Sequence, residues 1–465
     1  MSRQSRLLGA SLSLLLCASG SVAFAQSRPP LSDAIKRSDP AAAARLLKQG
    51  VNVNATEGDG STALHWAAYR DDRESAELLL KAGAKANVAN DLGATPLWAA
   101  AMNGSEAMTR RLLQAGADPN AALLAGETPL MVASRGGFAP VVSLLLGAGA
   151  KVNATGTRNQ TALMWAVSQK FPAVTKLLLE AGADVHAKSA VWKQVMAVSP
   201  HGMLQYNKDV PHGADTALLF AARNGDLDSA RLLLAAGAHS DEADAWGISA
   251  TALAAHAGHT AIVQLLLEKG ANPNTTGGGF TALHAAVMRR DEQMVSALLA
   301  HKADPNAKLL SWTPTRRSSR DWNFNPEMVG ATPYWLAARA TAPAVMKMLV
   351  EHGADPKVVH HAVYHAGDPT EERSQTTNPL MAAVGMGGGL PWVSLDPKQR
   401  EAVTLEAVRL AVEQGSDVNQ KNDDGRTALD AATRLRFTSV VEFLTAHGAV
   451  TGNANGRNTG AAVNR

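Results

Sequence analysis

The sequence predicts an all-α solenoid of about ten to eleven stacked helix-turn-helix units, with projecting hairpin turns and three inserted loops on one edge. Three observations predict it. The stretch from Gly60 to Asn87, GSTALHWAAYRDDRESAELLLKAGAKAN, returns 33 residues later as GATPLWAAAMNGSEAMTRRLLQAGADPN, from Gly93 to Asn120. Thr62, Thr95, Thr128 and Thr161 keep that interval, as do the closing glycines Gly83, Gly116, Gly149 and Gly182. Each unit, finally, spells two short helices that cannot bury their apolar faces alone, and stacking solves that.

Within a unit the signals follow in order. Thr62 is an N-cap whose hydroxyl accepts from free amides of the first turn. Its successor is Pro96, Pro129, Pro333 or Pro379 in other copies, which suits a first helical position that needs no N–H. Ala67 and Ala68 keep the first helix slim enough for close approach. Asp71 and Asp72 form a loop, and Leu78-Leu79-Leu80 is the apolar run of the second helix. Gly83 supplies the left-handed cap. Asn90, Asp91 and Gly93 carry the chemistry of a projecting turn.

A globular chain of 465 residues would divide into two or three domains. A repeat array escapes that limit, and 46% hydrophobic content supplies a continuous core. The first 25 residues are expected to be a signal peptide: Arg3 and Arg6, an apolar run from Leu7 to Leu16, and Ala23-Phe24-Ala25 as cleavage site. The mature chain would begin at Gln26, in the periplasm or outside the cell. It would carry 42 basic and 41 acidic side chains and no cysteine. Thiol chemistry is then excluded, and neither a nucleic-acid footprint nor a membrane-spanning segment is expected.

Residues 26–30 are a linker. A degenerate capping unit spans 31–54, and regular units follow at 58–87, 91–120, 124–153 and 157–186. Thr216 comes 55 residues after Thr161, which reveals an insertion over 187–211. Units at 212–241, 245–274 and 277–306 restore the beat. Insertions over 307–327 and 358–375 flank a unit at 328–357. The unit at 376–419 is split by 387–400, and a last unit spans 423–450 before a tail over 451–465, expected to be disordered.

TALHWAA, GATPLWAA, GETPLMVA and LLLEKGANPN resemble the ankyrin-repeat family, and the resemblance covers 31–450. It implies a monomeric, non-catalytic scaffold that binds another protein on its concave face and uses no cofactor. Lys302 in place of a closing glycine, Thr251 in place of a leucine, and the long insertions depart from the family pattern.

The resemblance places concave-facing positions four, seven and eight residues after each Thr. Trp66, Tyr69, Arg70, Trp165, Phe220, Arg223, His256 and Arg339 are the candidate partner-binding residues there. Aromatic rings and arginines on a wetted face have the composition of an interface core. The competing reading makes the rings satellite core beneath the loops. The insertions after His186, Asn306 and Lys357 extend the turns of one edge, with Trp192, Trp312 and Trp322 expected to face the groove.

VVHHAVYHAGD sets His361 and His365 four apart, a metal-ligand spacing on a helix. It lacks the glutamate of a zinc protease, and surface histidines are the plainer reading. Glycine runs at 277–279 and 387–389 lack the lysine of a phosphate loop. His65 and His284 are expected to cap neighbouring turns. The expected function is a protein-binding scaffold of the bacterial envelope. The alternatives are a periplasmic ligand- or metal-binding protein, using the aromatic groove and histidines 360–365, or a secreted effector.

Overall fold

A computed structural model describes residues 29–196, 208–313, 324–365, 372–387 and 395–452. The expected leader, the tail from 453 onward and Trp322 lie outside the described residues. Eleven helix pairs follow one another, from Pro30–Lys36 with Pro40–Lys48 to Ala428–Leu435 with Thr438–Ala446. Each first helix starts as its sequence dictates. Thr95, Thr128, Thr161 and Thr332 accept from the amide three residues on. Ser249 and Asn378 do so where threonine is missing. A cap of this kind contributes about 1 kcal/mol.

Packing repeats with the sequence. Leu64, Leu97, Leu130, Leu163, Leu218 and Leu283 form one fully buried column on the first helices. Leu79, Leu112, Leu145, Leu178, Leu233 and Leu266 form another on the second. Thr251, in place of a leucine in the first column, is buried with its hydroxyl unpartnered. Lys302 adopts a left-handed φ of 66°, so the missing glycine is replaced without changing the path of the chain.

Polar rungs join the units. The Asn54 side chain donates to the carbonyl of Gly83 and accepts from the amide of Lys85. Asn87, Asn120 and Asn153 repeat the pair of bonds one unit on, at 2.7–3.1 Å. His186 takes the next asparagine position. Its ring stacks on His239 instead, at 4.6 Å, with Nδ1 3.7 Å from the buried carboxylate of Glu242.

Two of the insertions carry paired strands. Strand β1 (Trp192–Met196) pairs antiparallel with β2 (Lys208–His212), and β3 (His360–His365) with β4 (Glu372–Thr377). The helical spacing expected of His361 and His365 is therefore corrected to a strand. The reason is alternation: His360 and Ala362 are buried, while His361 and Val363 are exposed, the period of a pleated ribbon. The middle insertion closes at its base, where Leu309 and Phe324 pair with Ala331 and Thr313. The split unit is also corrected. Its second helix begins at Pro397, inside the expected insertion 387–400, and runs to Glu413. Asp396 and Gln399 box its start.

Candidate partner-binding surface

The first helices carry a row of half-buried rings, each held by its cap. Trp66, Trp165 and Phe220 stand four residues after Thr62, Thr161 and Thr216, their inner edges packed on the core. A cation lies over each. Lys36 Nζ sits 4.2 Å from the Trp66 ring centre, the Arg135 guanidinium 5.2 Å from Trp165, and the Arg223 guanidinium 5.8 Å from Phe220. Tyr69 meets Trp66 edge to face and is itself exposed.

The two arginines are tethered from below. Arg135 pairs with Glu127 at 2.6 Å and Arg223 with Asp215 at 2.8 Å. Both pairs join the residue before the capping threonine to the residue seven after it, two helical turns along the same face. Asp215 is buried, and nearby Asp244 is held above the usual carboxylate range by its own burial and then by the Asp215 charge. Arg223 therefore neutralises a buried carboxylate while it covers a ring. Sequence reasoning missed Glu127 and Asp215, although the spacing of eight between acid and arginine occurs twice.

The position eight after threonine has another duty. Asn103, Asn224 and Arg289 donate to main-chain carbonyls at the end of the preceding first helix, on Tyr69, Ser168 and His256. Arg70 likewise reaches back to Ser38 Oγ at 3.0 Å. These contacts brace neighbouring first helices. His256 lies half-buried, its ring 6.3 Å from Phe280.

Arg339 does not join this surface. It is buried, donates from Nε to the carbonyl of Gly387 at 3.1 Å, and has its pKa lowered by burial. The expectation of a donor open to a partner is corrected for that residue. Gly387 lies against the helix Pro333–Arg339. Gly387, at φ 88°, permits it, because a Cβ there would stand 2.7 Å from the Trp335 ring.

The inserted residues divide. Trp192 stacks on His212 and lies beneath the Arg158 guanidinium, 4.4 Å away, so it roots its hairpin on the preceding turn. Trp312 is half-buried at the base of the middle insertion. Phe324 is fully buried against Phe280 and His284 and is satellite core. His360 is buried over Trp335 and donates from Nε2 to the carbonyl of Val329, 3.0 Å away; burial lowers its pKa. His361 is exposed and bonds Thr376 Oγ1. The side chain of His365 lies outside the described residues. Among the described residues, no three His, Cys, Asp or Glu side chains gather as metal ligands.

Exposed apolar surface lies elsewhere than the sequence suggested. Leu92 and Leu124 stand on regular turns, and Val191, Val195, Leu310, Val359 and Val363 on the insertions. Among the described residues of the first helices, Tyr69 alone is a comparably exposed large hydrophobic. The projecting edge, more than the helix wall, therefore carries the uncovered hydrophobic area.

A stack of helix pairs joined by projecting turns is the architecture of an interaction scaffold, and comparison with known proteins gives its family. The model for ankyrin repeats matches in three copies, at 31–123, 116–189 and 205–309, more than half of the chain. The chain belongs to the ankyrin-repeat family. It is similar to a Danio rerio protein named as a palmitoyltransferase, ZDHHC13, with 28% identity over 233 residues, 49% of this chain and 29% of that one. An ankyrin repeat-containing protein of Treponema pallidum (strain Nichols) is 40% identical over 90 residues, 19% of this chain and 30% of its own. The chain thus spans less than a third of either relative. Among solved structures, the ankyrin repeat domain of human ASB11 covers 53% of this chain and all of its own, at 30% identity and a TM-score of 0.43. Ankyrin repeats act by binding proteins and are generally non-catalytic. No helix among the described residues is long and apolar enough to cross a membrane.

Proposed function

We propose that the protein is a non-catalytic scaffold of the bacterial envelope that binds a partner protein along the concave wall of its first helices. The supporting observation is the row of rings with cations laid over them: Trp66 with Lys36, Trp165 with Arg135, and Phe220 with Arg223. A half-buried ring offers apolar area, and the guanidinium beside it offers donors to a carboxylate or carbonyl. The leader over residues 1–25 supports export, and Trp192 and Trp312 bound the wall on its turn edge. The partner is an extended protein segment.

The test places a photo-crosslinking residue at Tyr69, which is exposed beside Trp66, and recovers the adduct from the periplasmic fraction. Trp165→Ala and Phe220→Ala are then expected to weaken binding of the captured protein by about 2 kcal/mol. Their melting temperatures should fall only slightly, because both rings are half-buried. A large loss of stability with unchanged affinity would make the rings core and end the groove reading. A protein found unprocessed in the cytosol would remove the envelope from the proposal.

A further inference from the structure

The two hairpins display the same pattern. Strand β1 and the residue before it read Val191-Trp192-Lys193-Gln194-Val195, and β3 with its preceding residue reads Val359-His360-His361-Ala362-Val363. In each, the second residue turns its ring inward, Trp192 onto His212 and His360 onto Trp335. The first, third and fifth are left outside, as is Gln194 in the first hairpin, where the second has buried Ala362. Val191 and Val195 are each 60% exposed, Val359 50% and Val363 54%, and Lys193 and His361 are exposed between them.

The second strand of each hairpin adds a carboxylate. Asp209 opposes Val195, and Glu372 opposes His365, two residues beyond Val363. Directly opposed residues share a face of an antiparallel pair, so each outward face holds two valines, a base and an acid. Both acids are exposed. The first face offers Lys193 and the second Glu372, opposite charges beside exposed valines, so the two faces complement each other.

We propose that these faces are a homodimer contact, in which β1–β2 of one copy packs on β3–β4 of a second, and the reverse. A two-fold axis between the copies makes both contacts at once, because the spacing of the hairpins is the same in each chain. Lys193 of one copy then lies beside Glu372 of the other, His361 beside Asp209, and the valines interleave. One contact of four side chains is too small to hold two proteins together. The two symmetric contacts together double the area and act as one bivalent interface. The occupant is a second copy of this chain, which differs from the monomer implied by the family resemblance and does not depend on the concave-wall reading.

Sedimentation velocity on the full chain tests it. A concentration-dependent shift to twice the monomer mass is expected. Val191→Asp with Val363→Asp should leave a monomer whose melting temperature is unchanged, since both side chains are exposed. Lys193→Glu should weaken association at least tenfold, and adding Glu372→Lys should restore it. A monomer at all concentrations, or a dimer indifferent to the valine changes, overturns the proposal. Restoration by Asp209→Lys in place of Glu372→Lys would pair the first hairpin with itself and overturn this arrangement too.

Discussion

His284 is the residue whose chemistry is most constrained by its surroundings. The amide of Thr281 donates to its Nδ1, so the proton sits on Nε2 and is donated to the carbonyl of Ala307 at 3.1 Å. Burial lowers its pKa from 6.5 to about 4. A depressed histidine holds its stabilising effect above the unfolded pKa and loses it as the pH falls through the folded one. The window is therefore pH 6.5 down to about 4, with a loss of about 3 kcal/mol across it. His65 makes the same bonds to Thr62 and Ala94 and is lowered by burial in the same direction. Urea midpoints at pH 7 and pH 4.5 measure the effect. The slope of His284→Gln against pH should be shallower than that of the parent, and an equal slope would assign the acid lability to other groups.

At the scale of the element, the asparagine rungs explain why identical turns repeat so closely, and His186 shows what happens where a rung is missing. Asn153 bridges to Gly182 and Asp184. The corresponding bridge from His186 would reach Gly237 and the amide of His239, but its ring stacks on the His239 ring instead. His186→Asn is expected to restore both bonds and stabilise the array by about 1 kcal/mol, since two hydrogen bonds replace one ring contact. A rise in thermal midpoint checks it; a fall would mean that the imidazole pair and Glu242 contribute more than a rung. The helix pairs were legible from capping threonines, prolines and leucine runs, because these act within a few residues. The hairpins were not. Val191 to Val195 is too short to show its period, and its partner strand lies beyond a gap of variable length.

For the whole molecule, eleven layers at roughly 8–10 Å each imply a curved body on the order of 100 Å long. Small-angle scattering should return an elongated envelope, and a near-spherical one would contradict the stack. Among the described residues, the main helix-to-helix contacts run within a unit or between neighbouring units, so damage stays local.

The 33-residue beat by itself determined the stacked helix pairs, their capping threonines and leucine runs, and the family, because every one of these depends on contacts between positions a fixed distance apart. The rings at Trp66, Trp165 and Phe220 could be placed for the same reason. Tertiary structure alone decided the rest. It buried Arg339 beneath Gly387, made Phe324 core, turned two insertions into paired strands, and moved the exposed apolar area to the projecting edge. Those outcomes depend on where irregular segments return after leaving the array, and their lengths follow no period.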